Sequence, residues 1–224
     1  MISVHIRALL VLSLCALPFG ARAQESPYGF RNIDLGITSV EFKKRGFPDL
    51  KKWPKVIPVC TGDAKIKKIE TFVLGALLRE AGVTQCGYLL VESSIGPLIW
   101  SVDFAGIGNY QAFYLFSPAS LPESQRGRLY HIEIKFPVGR YAEVLAAYTT
   151  KYGQPKVVSE KYKVQSGAEF DNSVSVWENT DSSITLSHYG SSLTSSNVVY
   201  LHKQLLLATD AAFKNVGKKG AGQL

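Results

Sequence analysis

The chain has 224 residues, of which 46% are hydrophobic and 19% are charged, and its formal net charge is +7. The apolar fraction is too high, and the net charge too low, for a disordered protein. The length fits one large or two small domains, and only the N-terminal segment contains an apolar run that approaches the length of a membrane span.

The first 23 residues have the three parts of a secretory signal peptide. His5 and Arg7 form a short polar start, residues 8–19 are apolar, and Ala21 and Ala23 supply the small side chains that signal peptidase requires. The apolar run is shorter than the about 20 residues of a membrane span, so cleavage after Ala23 is favoured over an uncleaved anchor, which is the alternative. We therefore expect a mature protein in the periplasm or outside the cell, with no membrane-spanning segment.

Two cysteines remain after cleavage, Cys60 and Cys86. In an oxidising compartment such a pair predicts a structural disulfide. Closing a loop of about 26 residues stabilises the fold by about 3–4 kcal/mol in the chain-entropy description. A redox pair is usually spaced as C-x-x-C, and a zinc site needs about four ligands, so neither a redox site nor a metal site is expected here.

The mature chain begins with a short strand and a capped helix. Residues 33–35 alternate between apolar and polar side chains, and Gly36 marks a turn. Thr38, with Glu41 three positions later, forms a capping-box pattern, which predicts a short helix that ends near Gly46.

A second helix is predicted from Asp63, as its N-terminal cap, to Gly82. The apolar residues of this segment recur at roughly helical spacing. Three lysines in its first turn oppose the helix dipole. The apolar residues are Ile66, Ile69, Val73 and Leu77.

From Cys86 onward the apolar residues recur at every second position, which is the spacing of β-strands. Glycine, proline and serine separate the segments, most densely in a linker at residues 117–127. The predicted strands are residues 87–92, 98–104, 110–116 and 129–136, followed by 156–164, 173–178, 183–188 and 197–202.

The clearest helical pattern lies between these two groups of strands. Apolar residues at helical spacing run from Tyr141 to Tyr148, and Gly153 followed by Pro155 ends the helix. A short helix is predicted at residues 205–213, and a flexible tail at residues 217–224.

These elements predict an α+β fold. Strands that follow one another closely in sequence must pair antiparallel, because a parallel pair needs a long crossover. A helix followed by three or four such strands occurs after residue 120 and, less clearly, before it. We therefore expect two tandem modules, residues 24–120 and 121–216, each with a helix packed on one face of an antiparallel sheet.

Two short motifs resemble those of a known group of exported bacterial modules. Residues 33–42 (IDLGITSVEF) resemble an "I-x-L-G-M-[ST]-x-x-E-V" opening, and residues 151–155 (KYGQP), followed by strands that carry Trp177, are similar to a helix exit in the same modules. The chain thus resembles the SmpA/OmlA-type and β-lactamase-inhibitor-protein-like group. The resemblance implies helices packed on an antiparallel sheet and a role in protein binding or envelope assembly rather than catalysis.

Motifs of common enzymes are absent from the sequence: neither H-E-x-x-H nor G-x-S-x-G occurs. His188 and His202 lie on consecutive predicted strands, but about five residues apart along the ladder, or about 16 Å, which is too far for one shared metal ion. His131, Glu133 and Lys135 share a strand face, which is either an acid–base row or the solvent-exposed side of the strand; the second interpretation is favoured.

Four carboxylates remain candidates for acid–base chemistry, and spacing alone selects no pair among them, so no catalytic residue and no cofactor is predicted. They are Asp103, Glu169, Asp171 and Glu178.

Aromatic residues are the candidates for a binding surface, because tyrosine and tryptophan are favoured in interfaces. The alternative is that they pack inside the sheets. Trp53, Trp177, Tyr110 and Tyr114 are the predicted surface residues.

Basic residues cluster between positions 43 and 68 and form a candidate polyanion-binding patch, although a solvated charged face is the commoner explanation. Nucleic acid is not expected as a partner of an exported protein. The candidate residues are Lys43, Lys44, Lys51, Lys52 and Lys55.

Three functional hypotheses follow. The first is a non-catalytic exported binding protein, whose partner is another protein or an envelope component. The second is a hydrolase of an envelope polymer that uses carboxylates or His131, and the third is a polyanion-binding module that uses the lysine patch.

Overall fold

The computed structural model describes residues 26–66, 74–94 and 96–221, which form mostly antiparallel strands with four α-helices. The predicted signal peptide, part of the second predicted helix and residues 222–224 lie outside the described residues. The helices are α1 (Ser39–Arg45), α2 (Ala76–Glu80), α3 (Tyr141–Tyr152) and α4 (Lys203–Ala221). The strands are β1 (Gly29–Phe30), β2 (Ile33–Asp34), β3 (Val56–Cys60), β4 (Thr84–Leu90), β5 (Leu98–Trp100), β6 (Val102–Asp103), β7 (Asn109–Tyr110), β8 (Ala112–Phe116), β9 (Leu129–Pro137), β10 (Lys156–Lys163), β11 (Glu169–Glu178), β12 (Ser182–Ser192) and β13 (Ser195–His202).

Nine of these strands form one antiparallel sheet in the order β10-β11-β12-β13-β9-β8-β4-β3, with β5 also paired to β4. The α+β class is therefore as predicted. The two-module division is not confirmed, because β8, which precedes the expected boundary at residue 120, pairs directly with β9, which follows it. Within the described residues, no helix has the length and apolar character needed to cross a membrane.

The first helix forms as predicted. The Thr38 side chain accepts a hydrogen bond from the Glu41 amide, and the Glu41 carboxylate accepts one from the Thr38 amide at 2.7 Å, so the capping box is complete. The helix ends at Gly46, whose φ of +71° suits glycine. This turn places Phe42 in the core.

The second predicted helix is wrong as a continuous element. Residues 64–66 form a 3₁₀ turn, residues 67–73 lie outside the described residues, and Gly75 has an extended ψ of 148° before α2 begins. The Asp63 carboxylate accepts a hydrogen bond from the Cys60 amide, so it closes the turn after β3 instead of capping a helix. Lysines at the start of the segment also oppose a helix dipole.

The other elements follow the predictions in outline, but residues 98–104 form β5 and β6, and residues 110–116 form β7 and β8, instead of one strand each. The central helix α3 ends at Gly153, as expected. Strand β3 was not predicted; it is an edge strand, and Pro58 within it is tolerated there because an edge needs fewer backbone donors. Helix α4 runs to Ala221 instead of ending near residue 213, and so includes part of the predicted tail.

The main core lies on one side of the sheet, which we call the helix face because α1 and α3 pack there; α4 packs against one end of the other side. Phe42 of α1 and Val144 and Tyr148 of α3 belong to the main hydrophobic cluster. Six side chains at directly paired positions of adjacent strands form what we call the helix-face row, and each is at most 4% exposed. They are Cys86, Tyr114, Ile132, Tyr200, Ile184 and Trp177.

The predicted disulfide is present between Cys60 and Cys86. These residues are directly paired partners on β3 and β4, and both are buried. The disulfide therefore ties the edge strand β3 to the first member of the helix-face row.

Candidate functional site

Two of the predicted surface aromatics are buried, so this part of the prediction is corrected. Trp177 and Tyr114 both belong to the helix-face row. The Trp177 indole donates a hydrogen bond to the Gly153 carbonyl at 2.8 Å, and the Tyr114 ring lies 4.8 Å from that of Phe42. Both side chains hold helices onto the sheet and are not available to a partner.

The other two predicted aromatics are partly exposed. The Trp53 ring lies 4.6 Å from the Trp100 ring, and the ammonium of Lys52 is 5.8 Å from the Trp53 ring centroid. Tyr110 packs at 6.1 Å from Phe104 at the margin of the core. The four aromatics therefore do not form one surface.

The predicted lysine patch is divided by ion pairs. Lys43 bonds Asp63 at 2.8 Å, and Lys55 bonds Glu92. The other three residues, Lys44, Lys51 and Lys52, are exposed. Pairing with carboxylates lowers the positive potential that such a patch would present to a polyanion.

Three of the four candidate carboxylates each lie beside a different cation. Asp103 lies 3.7 Å from Arg31, Asp171 bonds Lys161, and Glu178 lies 3.8 Å from Lys203. Asp171 and Glu178 are seven positions apart on β11, or about 23 Å at 3.3 Å per residue. These two groups cannot act on one substrate atom together.

The predicted histidine register is nearly correct. Ser182 pairs with His202, so His188 and His202 lie six positions apart along the ladder, against the expected five. The His188 ring packs at 4.8 Å from Tyr141. In the part of the chain that the structure describes, no group of three or more His, Cys, Asp or Glu side chains could hold a metal ion.

The second side of the sheet, which we call the open face, carries the His131, Glu133 and Lys135 row, as the alternation predicts. Each of these residues alternates with buried Ile132, Ile134 or Phe136 along β9. Five partly exposed side chains at directly paired positions of β11, β12, β13, β9 and β8 form what we call the open-face row. They are Val176, Thr185, Val199, Glu133 and Phe113.

The boundaries of the open face are set by short packed clusters. At one end, Leu205 of α4 and Val83 pack with Tyr130. At the β3–β5 end, Ile66 packs with Val59 and Leu89. Between these clusters the open-face row crosses five strands, or about 19 Å at 4.8 Å per strand.

Polar groups on the open face are partly paired. Glu133 accepts a hydrogen bond from the Asn197 amide nitrogen at 3.3 Å and lies 3.6 Å from the Lys135 ammonium. The Asn197 Oδ1 is a buried acceptor without a hydrogen-bond partner among the described residues. Burial lowers the pKa of His131, and the nearby Glu133 carboxylate opposes this shift.

Sequence reasoning missed most of the open-face row. Only Glu133 was singled out, as a member of the charged strand face. Val176, Thr185, Val199 and Phe113 carry no motif. Their common signal is strand register, which requires the pairing order of five strands.

Comparison with protein-family models, with curated proteins and with solved structures finds no match to this chain.

Proposed function

We propose that this protein is a non-catalytic binding protein of the bacterial envelope and that a folded partner protein docks on its open face. The observation that carries the proposal is the open-face row: five neighbouring strands present partly exposed side chains at one level. The disulfide is compatible with a compartment outside the cytoplasm.

The composition of the open face supports a protein partner. Val176, Val199 and Phe113 supply apolar area, and Thr185, next to the central Val199, supplies a hydroxyl group. Interfaces between separately folded proteins are only about as apolar as ordinary surface and have few charges at their centre. In the row, only Glu133 is charged, and it is already paired.

The shape of the face also favours a protein over a small ligand. Small-molecule sites are concave and bury most of the ligand. A sheet surface about 19 Å wide offers breadth instead, on the scale at which a protein–protein contact becomes stable.

Site-specific photo-crosslinking tests this proposal. Thr185 is replaced by p-benzoylphenylalanine in the exported protein, and Val40, which is 74% exposed on α1, receives the same probe as a matched control. We expect a discrete adduct from position 185 only, because Val40 lies on a different surface. Adducts of equal yield at both positions, or none at position 185, would contradict the proposal.

Binding measurements with the recovered partner separate docking from chance proximity. The purified partner should bind the wild-type chain, and Val199→Glu should weaken binding at least tenfold, because it places an unpaired charge at the centre of the contact. Val40→Glu is the control and should leave the affinity unchanged. Equal affinities for the two variants would overturn the assignment of the open face.

A further inference from the structure

A cleft of about 230 Å³ lies on the helix face, on the opposite side of the sheet from the open face. Helix α3 forms one wall, the β1–β2 hairpin and the turn after β6 form the other, and Tyr200 of β13 lies at the base. We call it the aromatic cleft. Its volume is below the about 300–1,000 Å³ of sites for drug-sized ligands, so it suits a ligand of one ring with a short substituent.

Four aromatic side chains form the floor of the cleft. Phe30, Phe104, Tyr148 and Tyr200 are all buried, and each ring contacts the next in a closed circuit. The centroid separations are 6.0, 6.1, 6.3 and 6.2 Å. An aromatic ring of a ligand placed against this floor would make the edge-to-face and offset contacts that aromatic rings prefer.

The backbone of the cleft wall is in an unusual conformation at two positions. Arg31 has a φ of +57° and Ala105 a φ of +52°, and they are the two non-glycine residues with positive φ across residues 26–66, 74–94 and 96–221. Both line the cleft. A non-glycine residue with a positive φ destabilises the fold by about 1 kcal/mol, and such residues concentrate at ligand sites.

The charges at the rim favour an anion. The Arg31 guanidinium bonds Asp49 at 2.7 Å and lies 3.7 Å from Asp103, so the Asp103 carboxylate already has a cation beside it. Lys151 pairs with no carboxylate of the described residues; its ammonium lies 4.8 Å from the Tyr152 ring centroid. Lys151 is therefore the rim charge that is available to a ligand.

Hydroxyl groups in the cleft add a donor. The Tyr148 and Tyr200 hydroxyls are hydrogen-bonded to each other, and the Tyr152 hydroxyl interacts with that of Tyr200. The hydrogen bond between Tyr148 and Tyr200 uses one of the two protons of this pair, so one proton remains for an oxygen of the ligand. Burial raises the pKa of Tyr148 and Tyr200, which keeps both hydroxyls protonated.

We propose that the aromatic cleft binds a small aromatic carboxylate, with the ring against the aromatic floor and the carboxylate between the Lys151 ammonium and a tyrosine hydroxyl. The carboxylate belongs either to a free aromatic acid or to the C-terminus of a peptide that ends in an aromatic residue. The cleft is separate from the open face, so this proposal does not depend on the proposed docking of a partner protein there.

Calorimetric titration of the oxidised, exported protein tests the ligand class. Phenylpropionate should bind saturably with a Kd of about 0.1 mM, as expected for a ligand of about ten non-hydrogen atoms. Phenylpropanamide, which lacks the charge, should bind about tenfold more weakly, because a charge-assisted hydrogen bond is lost. Equal affinities for the acid and the amide, or no saturable binding of the acid, would overturn the proposal.

Two variants with matched controls test the location. Lys151→Gln should weaken binding of phenylpropionate about tenfold, whereas Lys156→Gln, on the exposed strand β10, should not. Ala147→Leu should abolish binding by filling the cleft, and Ala146→Leu, on the exposed side of α3, should not. Leucine is a good helix former, so both alanine variants should fold. Unchanged binding in Lys151→Gln and Ala147→Leu would contradict the site.

A third ligand distinguishes the two sources of the carboxylate. Glycyl-phenylalanine carries the same ring and a peptide C-terminus. Tighter binding than phenylpropionate would support the cleft as a peptide C-terminus site, and weaker binding would support a free aromatic acid. If the peptide binds Lys151→Gln as tightly as it binds the wild-type protein, both the free-acid and the peptide C-terminus proposals are contradicted.

Discussion

Val198 and Val199 are adjacent residues of the same type on β13, yet they belong to two different environments. Val198 is fully buried on the helix face, and Val199 is partly exposed on the open face. The same strands therefore present a sealed core on one side and an accessible surface on the other. Antiparallel sheets permit this division because successive side chains point to opposite faces.

The two faces differ in the kind of residue as well as in burial. The helix-face row consists of large apolar or aromatic side chains and a disulfide cysteine, all buried under α1 and α3. The open-face row mixes β-branched, aromatic and charged side chains. Since folding stability comes mainly from buried apolar area, the helix face contributes more to the stability of the fold than the open-face row, on which we propose that a partner docks.

The largest effect should come from the centre of the helix-face row. Ile132→Ala should lower the free energy of unfolding by about 4 kcal/mol, because it opens a cavity at a fully buried position. Urea denaturation followed by circular dichroism measures the loss. Glu133→Ala, one position further on the open face, should cost less than about 1 kcal/mol. Similar losses in the two variants would show that the faces do not differ in stability as described.

The disulfide should contribute the next largest effect. The double variant Cys60→Ala with Cys86→Ala should lose about 3–4 kcal/mol, because the unfolded chain regains the freedom of a closed loop. Urea denaturation of this variant should match that of the reduced wild-type protein. A midpoint equal to that of the oxidised wild-type protein would mean that the bond does not stabilise the fold.

The adjacent valines make the sharpest comparison of the two faces. Val198→Ala should lower the free energy of unfolding by about 2 kcal/mol, since two buried carbon atoms are removed. Val199→Ala should lower it by less than about 1 kcal/mol, since its side chain already meets solvent. Thermal and urea unfolding of the two variants, measured in parallel, checks this comparison. A larger loss of unfolding free energy in Val199→Ala than in Val198→Ala would contradict the assignment of the two faces.

The smallest effect concerns pH and the open face. Burial lowers the folded-state pKa of His131 below its unfolded value of about 6.5. As the pH falls, His131 is therefore protonated in the unfolded chain before it is protonated in the folded chain. The contribution of neutral His131 to the free energy of unfolding is complete above about pH 6.5 and is lost as the pH falls through the folded-state pKa.

The variant His131→Gln isolates that contribution. It should reduce the slope of unfolding free energy against pH between about pH 7 and pH 5. Part of the slope should persist, because burial lowers the pKa of His202 in the same direction. An unchanged slope in His131→Gln would show that His131 does not titrate differently on folding.

Much of the fold was predictable from local patterns. Residues close together in sequence indicate the capping box of Thr38 and Glu41, the helix that ends at Gly153 and most strands on either side of that helix. The helix predicted from Asp63 is wrong as a continuous element although its apolar residues recur at helical spacing, because Asp63 closes the turn after β3 and the lysines of the segment oppose a helix dipole. Strand β3 was missed because five residues that include Pro58 carry little strand signal.

The candidate surfaces were predictable only in part. Alternation along β9 correctly separated His131, Glu133 and Lys135 from the buried side of the strand. Preference for aromatic residues selected Trp177 and Tyr114 wrongly, because large aromatic side chains in a sheet stabilise the fold most when helices cover them. The aromatic cleft had no local signal, since Arg31, Phe104 and Lys151 are far apart in sequence.

The sequence by itself therefore determined the α+β class, the disulfide pair and the two-sided character of β9, because each depends on spacing within a short segment or on a single pair of cysteines. Only the tertiary structure decided that β8 and β9 join all nine strands into one sheet, that the open-face row crosses five of them, and that four distant segments enclose the aromatic cleft. The physical reason is that pairing between distant strands is set by the total area that the helices and sheet can bury together. No short stretch of residues encodes that quantity.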